Sequence, residues 1–202
     1  MRAPKGSWTR PTQDRVREAL FSMLAPRLAG ARFLDLFAGS GVVGVEAWSR
    51  GAAFVCWVER NRRVARVLEQ NVSELCAGAG VVYCDDVLRF VRRAARGEPF
   101  DVVYADPPYA DSRGGGFGAR RAGPGALCDG LRSSGLLAPG GLFIMEEEAG
   151  HEVVQPEGWR LVGNRVYGHT RLRLFGLDVK TDATETTADS GLRAAATGEG
   201  VG

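Results

Sequence analysis

Two histidines stand in 202 residues, and the four cysteines (Cys56, Cys76, Cys84 and Cys128) include no CxxC pair and no histidine at ligand spacing. That removes the usual donor sets for a bound metal, and no metal is expected. No apolar run reaches the roughly 18 residues that span a bilayer, and no signal-peptide pattern opens the chain, so a cytoplasmic location is expected. Cysteines without pairing partners suit a reducing compartment. Cys56 and Cys84 lie in apolar, strand-like runs and are expected as small buried thiols. No internal repeat is visible. Net charge is also slight, at +2, but its distribution is uneven. Residues 1–32 carry seven basic side chains against two acidic ones, and residues 178–202 carry two against five, which leaves residues 1–177 at +5. A mildly basic body is compatible with a polyanion partner.

What the chain does have is 45% hydrophobic residues, enough for one sizeable core. A first helix is expected from Thr12, with Asp14 in its first turn, Val16, Leu20, Met23 and Leu24 at helical spacing, and Pro26 just past its end. Apolar strands then alternate with helices. Strands are expected at 32–37, 53–58, 80–84, 100–105 and 140–146, and helices at 41–50, 61–76, 86–95 and 124–135. Continuous apolar strands separated by helices predict a parallel sheet covered on both faces. Residues 159–175 read as two strands joined at Tyr167-Gly168-His169, an antiparallel hairpin at the sheet's end. Residues 110–126 are Gly-rich and basic and are expected as a mobile loop. The division is a basic N-terminal segment over 1–11, one domain over 12–177 and a disordered acidic tail over 178–202.

In such a sheet, ligands bind beyond the carboxyl ends of the strands. Those ends here carry Asp35, Glu59, the pair Asp85 and Asp86, and the run Asp106-Pro107-Pro108-Tyr109. Gly39 and Gly41 suit a backbone that approaches a ligand closely, and the following helix start suits a carboxylate or a phosphate equally. Glu59 can accept both hydroxyl hydrogens of a ribose. Asp86 can accept from an adenine amino group, although either Asp85 or Asp86 can instead cap the next helix. The two prolines fix φ and remove N–H groups, so this turn presents acceptors only. Asp106 and the Pro107 carbonyl can hold an exocyclic amine while Tyr109 stacks on its base. Arg10, Arg15, Arg113, Arg120 and Arg121 are candidates for phosphate contacts, as are Arg160, Arg165, Arg171 and Arg173. Glu46 faces either the pocket or a backbone group.

The segment Asp35-Leu-Phe-Ala-Gly-Ser-Gly41 together with Asp106-Pro-Pro-Tyr109 resembles amino-methyltransferases that use S-adenosylmethionine. The stretches "TRPTQDRVREALFSML" (9–24), "LDLFAGSGVVGVEAWSRGA" (34–52) and "VERNRRVARVLEQNV" (58–72) are similar to the bacterial family that methylates a guanine N2 of 16S ribosomal RNA. The similarity covers roughly residues 4–176. It implies a Rossmann-like seven-stranded α/β methyltransferase sheet, mostly parallel, with helices on both faces. It implies S-adenosylmethionine contacts at Asp35, Phe37, Ala38, Gly39, Ser40, Gly41, Glu59, Arg60, Asp86 and Val87, and a catalytic base pocket at Asp106, Pro107, Pro108 and Tyr109. The implied partner is 16S ribosomal RNA or a small-subunit assembly particle, and nothing in the sequence demands more than a monomer. Family members usually begin with a short basic β-hairpin ahead of the "APKG" stretch, and this sequence starts almost at that stretch. The Gly-rich insert at 113–118 is a second departure.

Three other readings stay open. One is an amino-methyltransferase acting on another RNA or on DNA, and the DNA enzyme would need a target-recognition region larger than any segment here. Another is a nicotinamide oxidoreductase, suggested by Gly39-x-Gly41-x-x-Gly44 with Glu59. It lacks an evident Tyr/Lys or His proton donor at the fourth or fifth strand end. The last is a non-enzymatic RNA-binding module. Asp35 ahead of the turn and the amine-clamping "DPPY" favour the S-adenosylmethionine reading, with Gly44 as a helix-packing residue.

Overall fold

A computed structural model describes residues 11–93, 97–108, 124–150 and 155–178. The order of elements is α1 (Pro11–Leu28), β1 (Arg32–Leu36), α2 (Val42–Ser49), β2 (Phe54–Val58), α3 (Arg62–Leu75), β3 (Gly80–Tyr83), α4 (Val87–Arg93), β4 (Phe100–Ala105), α5 (Pro124–Ser134), β5 (Leu137–Glu148), β6 (Trp159–Tyr167) and β7 (Thr170–Leu177). The seven strands form one sheet in the order β3-β2-β1-β4-β5-β7-β6. Strands β1 to β5 pair in parallel, and β7 pairs antiparallel with both β5 and β6. The expected mostly parallel sheet with a terminal hairpin is the observed one. No helix among the described residues is long and apolar enough to cross a membrane.

Strand alternation divides the core in two. Phe33, Val55, Trp57, Val102, Tyr104, Leu142 and Ile144 face α1 and α2, which contribute Leu20, Phe21, Leu24 and Ala47. Leu34, Leu36, Val58, Val103, Phe143 and Met145 face α4 and α5, which contribute Phe90, Val91, Leu127 and Leu131. Val16, Leu20 and Leu24 are buried as expected, with Phe21 and Leu28 beside them.

Several boundaries moved for physical reasons. Helix α1 starts at Pro11, ahead of Thr12, because proline is tolerated in a first helical turn. It also runs past Pro26, whose missing N–H removes one bond near the end of the helix while Leu28 still reaches the core. Strand β5 begins at Leu137, because Phe100 pairs with Leu137 before the register shifts and Val102 pairs with Leu142. Pro139 and Gly140 lie within that irregularity. Cys56 is buried, but Cys84 is exposed, since β3 is the edge strand and Cys84 lies beyond its end. The expected basic segment 1–11 (apart from the backbone of Pro11), the loop 110–126 as far as Gly123, and the tail beyond Asp178 lie outside the described residues.

Candidate functional site

From β1 the chain continues outward in one direction, to β2 and β3, and later returns to β4 on the other side of β1. The crevice at that reversal lies beyond the carboxyl ends of β1 and β4. The turn from β1 into α2 is tightly specified. Phe37, Gly39 and Gly41 have φ of 63°, 56° and 84°. A left-handed phenylalanine is costly and persists only where its surroundings impose it. Here the next amide, Ala38 N, donates to Val58 O at 3.0 Å, and the Phe37 side chain packs partly against the α4/α5 side of the core. Gly41 N donates back to Ala38 O at 2.7 Å. Asn71, fully buried on α3, donates from Nδ2 to Ser40 O at 2.9 Å.

The two turn glycines have different roles. A Cβ on Gly39 would meet nothing closer than 4.0 Å, so the space beside it is open. A Cβ on Gly41 would sit 2.3 Å from Leu68 Cδ1, inside the core. Gly41 is therefore required by packing and by its positive φ, and the expectation that it spares a ligand from collision is not what the geometry shows. A Cβ on Gly44 would lie 2.1 Å from Trp57 Nε1, so Gly44 is the contact that lets α2 lie on β2. A third glycine in a dinucleotide turn does the same packing, so Gly44 selects no cofactor.

Charge does select. Asp35, 1% exposed, accepts at Oδ2 from Gly44 N at 3.0 Å. Gly41 occupies the N-cap of α2 and has no side chain to cap with, so a carboxylate from the strand takes the helix's orphan amide. One of the orphan amides at the start of α2 is thus satisfied from within. Glu59, at the end of β2, accepts from Gly39 N at 3.1 Å and from Asn61 N at 2.7 Å, which ties the glycine turn to the start of α3. Asp86 is exposed and caps α4 by accepting from Arg89 N at 3.1 Å. Asp85 is held by Arg93 and Arg89. Arg60 is exposed, while Val87 is buried in the core and can offer a ligand only its backbone. Ala38 is buried and Ser40 half-buried.

Beyond β4, Asp106 is half-buried, Pro107 buried and Pro108 exposed. Tyr109 lies outside the described residues, as do Arg10, Arg113, Arg120 and Arg121. Arg15 is exposed on α1. Asp106 shares its sheet face with two residues that the sequence reading missed. Tyr104 donates from its hydroxyl to Glu146 Oε2 at 2.5 Å, and both side chains are buried. Burial, with Glu146 and Asp35 as like charges nearby, pushes the Asp106 carboxyl up to about 8. Burial, opposed by the Gly44 amide and aided by Glu59, raises Asp35 to about 7. Glu146 is raised by burial against the lowering effect of the Tyr104 hydroxyl. The signal for Glu146 was an acid at an even position of an otherwise apolar strand, on the same face as Leu142 and Ile144.

Two other expectations are corrected. Glu46 faces neither the pocket nor a backbone donor. It accepts from Arg17 Nε at 2.7 Å and pairs with Arg50, joining α1 to α2. Arg173 is 4% exposed and bound to Glu147, so its charge is spent inside the fold.

A profile of the family described as conserved hypothetical protein 95 matches residues 1–176. The chain is 36% identical over 173 residues to the ribosomal RNA small subunit methyltransferase D of Escherichia coli (strain K12), covering 85% of this chain and 81% of that protein. It is 34% identical over 168 residues to the protein of that name in Haemophilus influenzae, covering 82% of each. A solved structure, that of a hypothetical protein from Thermus thermophilus, superposes with a TM-score of 0.67 at 34% identity, covering 86% of this chain and 91% of that one.

Proposed function

The chain belongs to the conserved hypothetical protein 95 family, that of the ribosomal RNA small subunit methyltransferase D proteins, and from that premise we propose that it transfers a methyl group from S-adenosylmethionine to the exocyclic N2 of a guanine in small-subunit ribosomal RNA. The coarser part, methylation of ribosomal RNA, rests on relatives that cover most of the chain. The finer part rests on the rim of the sheet.

One observation carries the choice of cofactor: Asp35 accepts the Gly44 amide at the start of α2, an N–H that a pyrophosphate would use, while Glu59 and Asp86 offer acceptors along the same edge. With that amide taken, the turn is a poor seat for a pyrophosphate. The rim suits a ligand that presents a cation, ribose hydroxyls and an adenine amino group. S-adenosylmethionine supplies an electrophilic methyl on a cationic sulfur. Asp35 would lie beneath its amino-acid end, Glu59 would accept from the ribose, and Asp86 has an exposed carboxylate for the adenine.

The protein's own part is alignment and charge. A guanine N2 lone pair is delocalised into its ring and is a poor nucleophile. Asp106 and the Pro107 carbonyl accept its two N–H hydrogens and hold the lone pair toward the methyl donor, and Tyr109 stacks on the base. Once it has lost its own proton, an Asp106 carboxyl raised to about 8 is basic enough to hold the proton that the amine sheds. The base must leave its stack to reach a strand-end pocket, so unpaired or looped RNA is the substrate form. Asp106→Ala, assayed by labelled methyl incorporation into unmodified small-subunit RNA, should lose activity by about a hundredfold or more while cofactor affinity is kept. A normal rate in that variant would remove the assignment.

A further inference from the structure

We infer that Arg62, Arg63 and Arg66, at the start of α3, form a phosphate-binding surface for the RNA strand that flanks the target base. The inference rests on the ribosomal RNA reading above and names a surface for it.

All three side chains are exposed, and none makes an ion pair among the described residues. Other exposed arginines, among them Arg15, Arg92 and Arg165, also lack an ion pair among the described residues, and what sets these three apart is their clustering at the start of one helix. Arg17, Arg32, Arg50, Arg89, Arg93 and Arg173 all meet a carboxylate. The placement also works against the helix. The first turn of α3 holds no acid, cations there oppose the helix dipole, and Arg62 and Arg66 stand one turn apart as like charges. The cap is provided separately, by Asn61 accepting from Arg63 N and Val64 N. The core-facing side of α3 is Ala65, Leu68 and Asn71. The arginines therefore make no ion pair that supports the fold, and their charges stand against the helix dipole.

Their position gives those charges a use. Helix α3 begins three residues after Glu59, beyond the carboxyl end of β2, and β2 is two strand positions from β4. Two strand spacings are about 10 Å, so the cluster and Asp106 lie on one rim of the sheet. Arginine forks match phosphate oxygens, and a row of them beside a pocket for an unstacked base is complementary to a single polyanionic strand.

The test compares wild type with the R62Q/R63Q/R66Q triple variant on a transcript of unmodified small-subunit ribosomal RNA between 50 and 200 mM salt, on the order of the range where phosphate contacts are resolved. The inference predicts a Kd raised about tenfold or more, and a slope of log K against log salt reduced by about 2. It predicts unchanged cofactor affinity, an unchanged kcat at saturating RNA, and a Tm equal to wild type or about 2 °C higher. Arg27→Gln, at the opposite end of the strands, should leave Kd and slope in place. If wild type binds the RNA with a steep salt slope and the triple variant does the same, the inference falls and the ribosomal RNA reading stands. A loss seen only with assembled particles, with naked-RNA affinity intact, overturns it in favour of a protein partner. If wild type does not bind the transcript, the premise and the inference fall together.

Discussion

Asp35 Oδ2 accepts the Gly44 amide at 3.0 Å, so a buried strand carboxylate caps the helix that follows the glycine turn. Removing it should show in stability. Asp35→Ala leaves a buried amide without a partner, at about 1–3 kcal/mol, and should lower Tm by about 3–10 °C. Asp35→Asn keeps an acceptor and should stay within a few degrees of wild type near pH 6. Equal melting of Asp35→Ala and wild type would show that the cap contributes nothing to stability.

The pH dependence of stability follows from two raised carboxyls, Asp35 at about 7 and Asp106 at about 8. Both lie above their unfolded value, so the folded state holds protons that the unfolded state has released. The associated stability is complete below about pH 4 and is lost as pH rises through 7 to 8. For Asp35 alone the change is on the order of 4 kcal/mol at most. Thermal melts should therefore decline between pH 5 and pH 8, and the Asp35→Asn variant should flatten that decline. A Tm that climbs across the same interval contradicts this.

Gly44 and Gly39 should fail in different ways. Gly44→Ala drives a methyl into the Trp57 indole, whose Nε1 is buried with no hydrogen-bond partner. It should cost about 1–3 kcal/mol, and Trp57→Phe should recover part of that in the double variant. Gly39→Ala meets open space but a left-handed backbone, so its fold should survive with a loss of about 1–2 kcal/mol. Its main effect should be on S-adenosylmethionine affinity, measured by calorimetry.

These contrasts also show how much was legible in advance. The sheet, its terminal hairpin and the row of acidic strand ends follow from apolar runs and turn residues, which are local signals. What each acid does is not local. Asp35 and Glu59 hold backbone amides nine and twenty residues away, and Glu46 binds Arg17 on a different helix. Glu146 is the first residue of the "EEE" run and the one nearest the core, where sequence alone reads a charged strand end. Its meeting with Tyr104 depends on the register of β4 against β5. The two turn glycines look equivalent in sequence, and only the neighbours of their missing Cβ atoms separate them.

Glu146 should tune Asp106 electrostatically. The kcat/KM profile reports groups of the free enzyme and should have a rising limb as Asp106 loses its proton. Glu146→Gln removes one of the like charges that hold Asp106 up, so that limb should move to lower pH. Tyr104→Phe strips Glu146 of its hydroxyl donor and should raise the Glu146 carboxyl further. An unmoved limb in Glu146→Gln would mean that Asp106 is not the group titrating.

The most direct measurement is nucleoside analysis of unmodified small-subunit ribosomal RNA, free or in particles, after incubation with the protein and labelled S-adenosylmethionine. The account predicts label in N2-methylguanosine, lost with Asp106→Ala. Label in another nucleoside, or none with any form of the RNA, contradicts it.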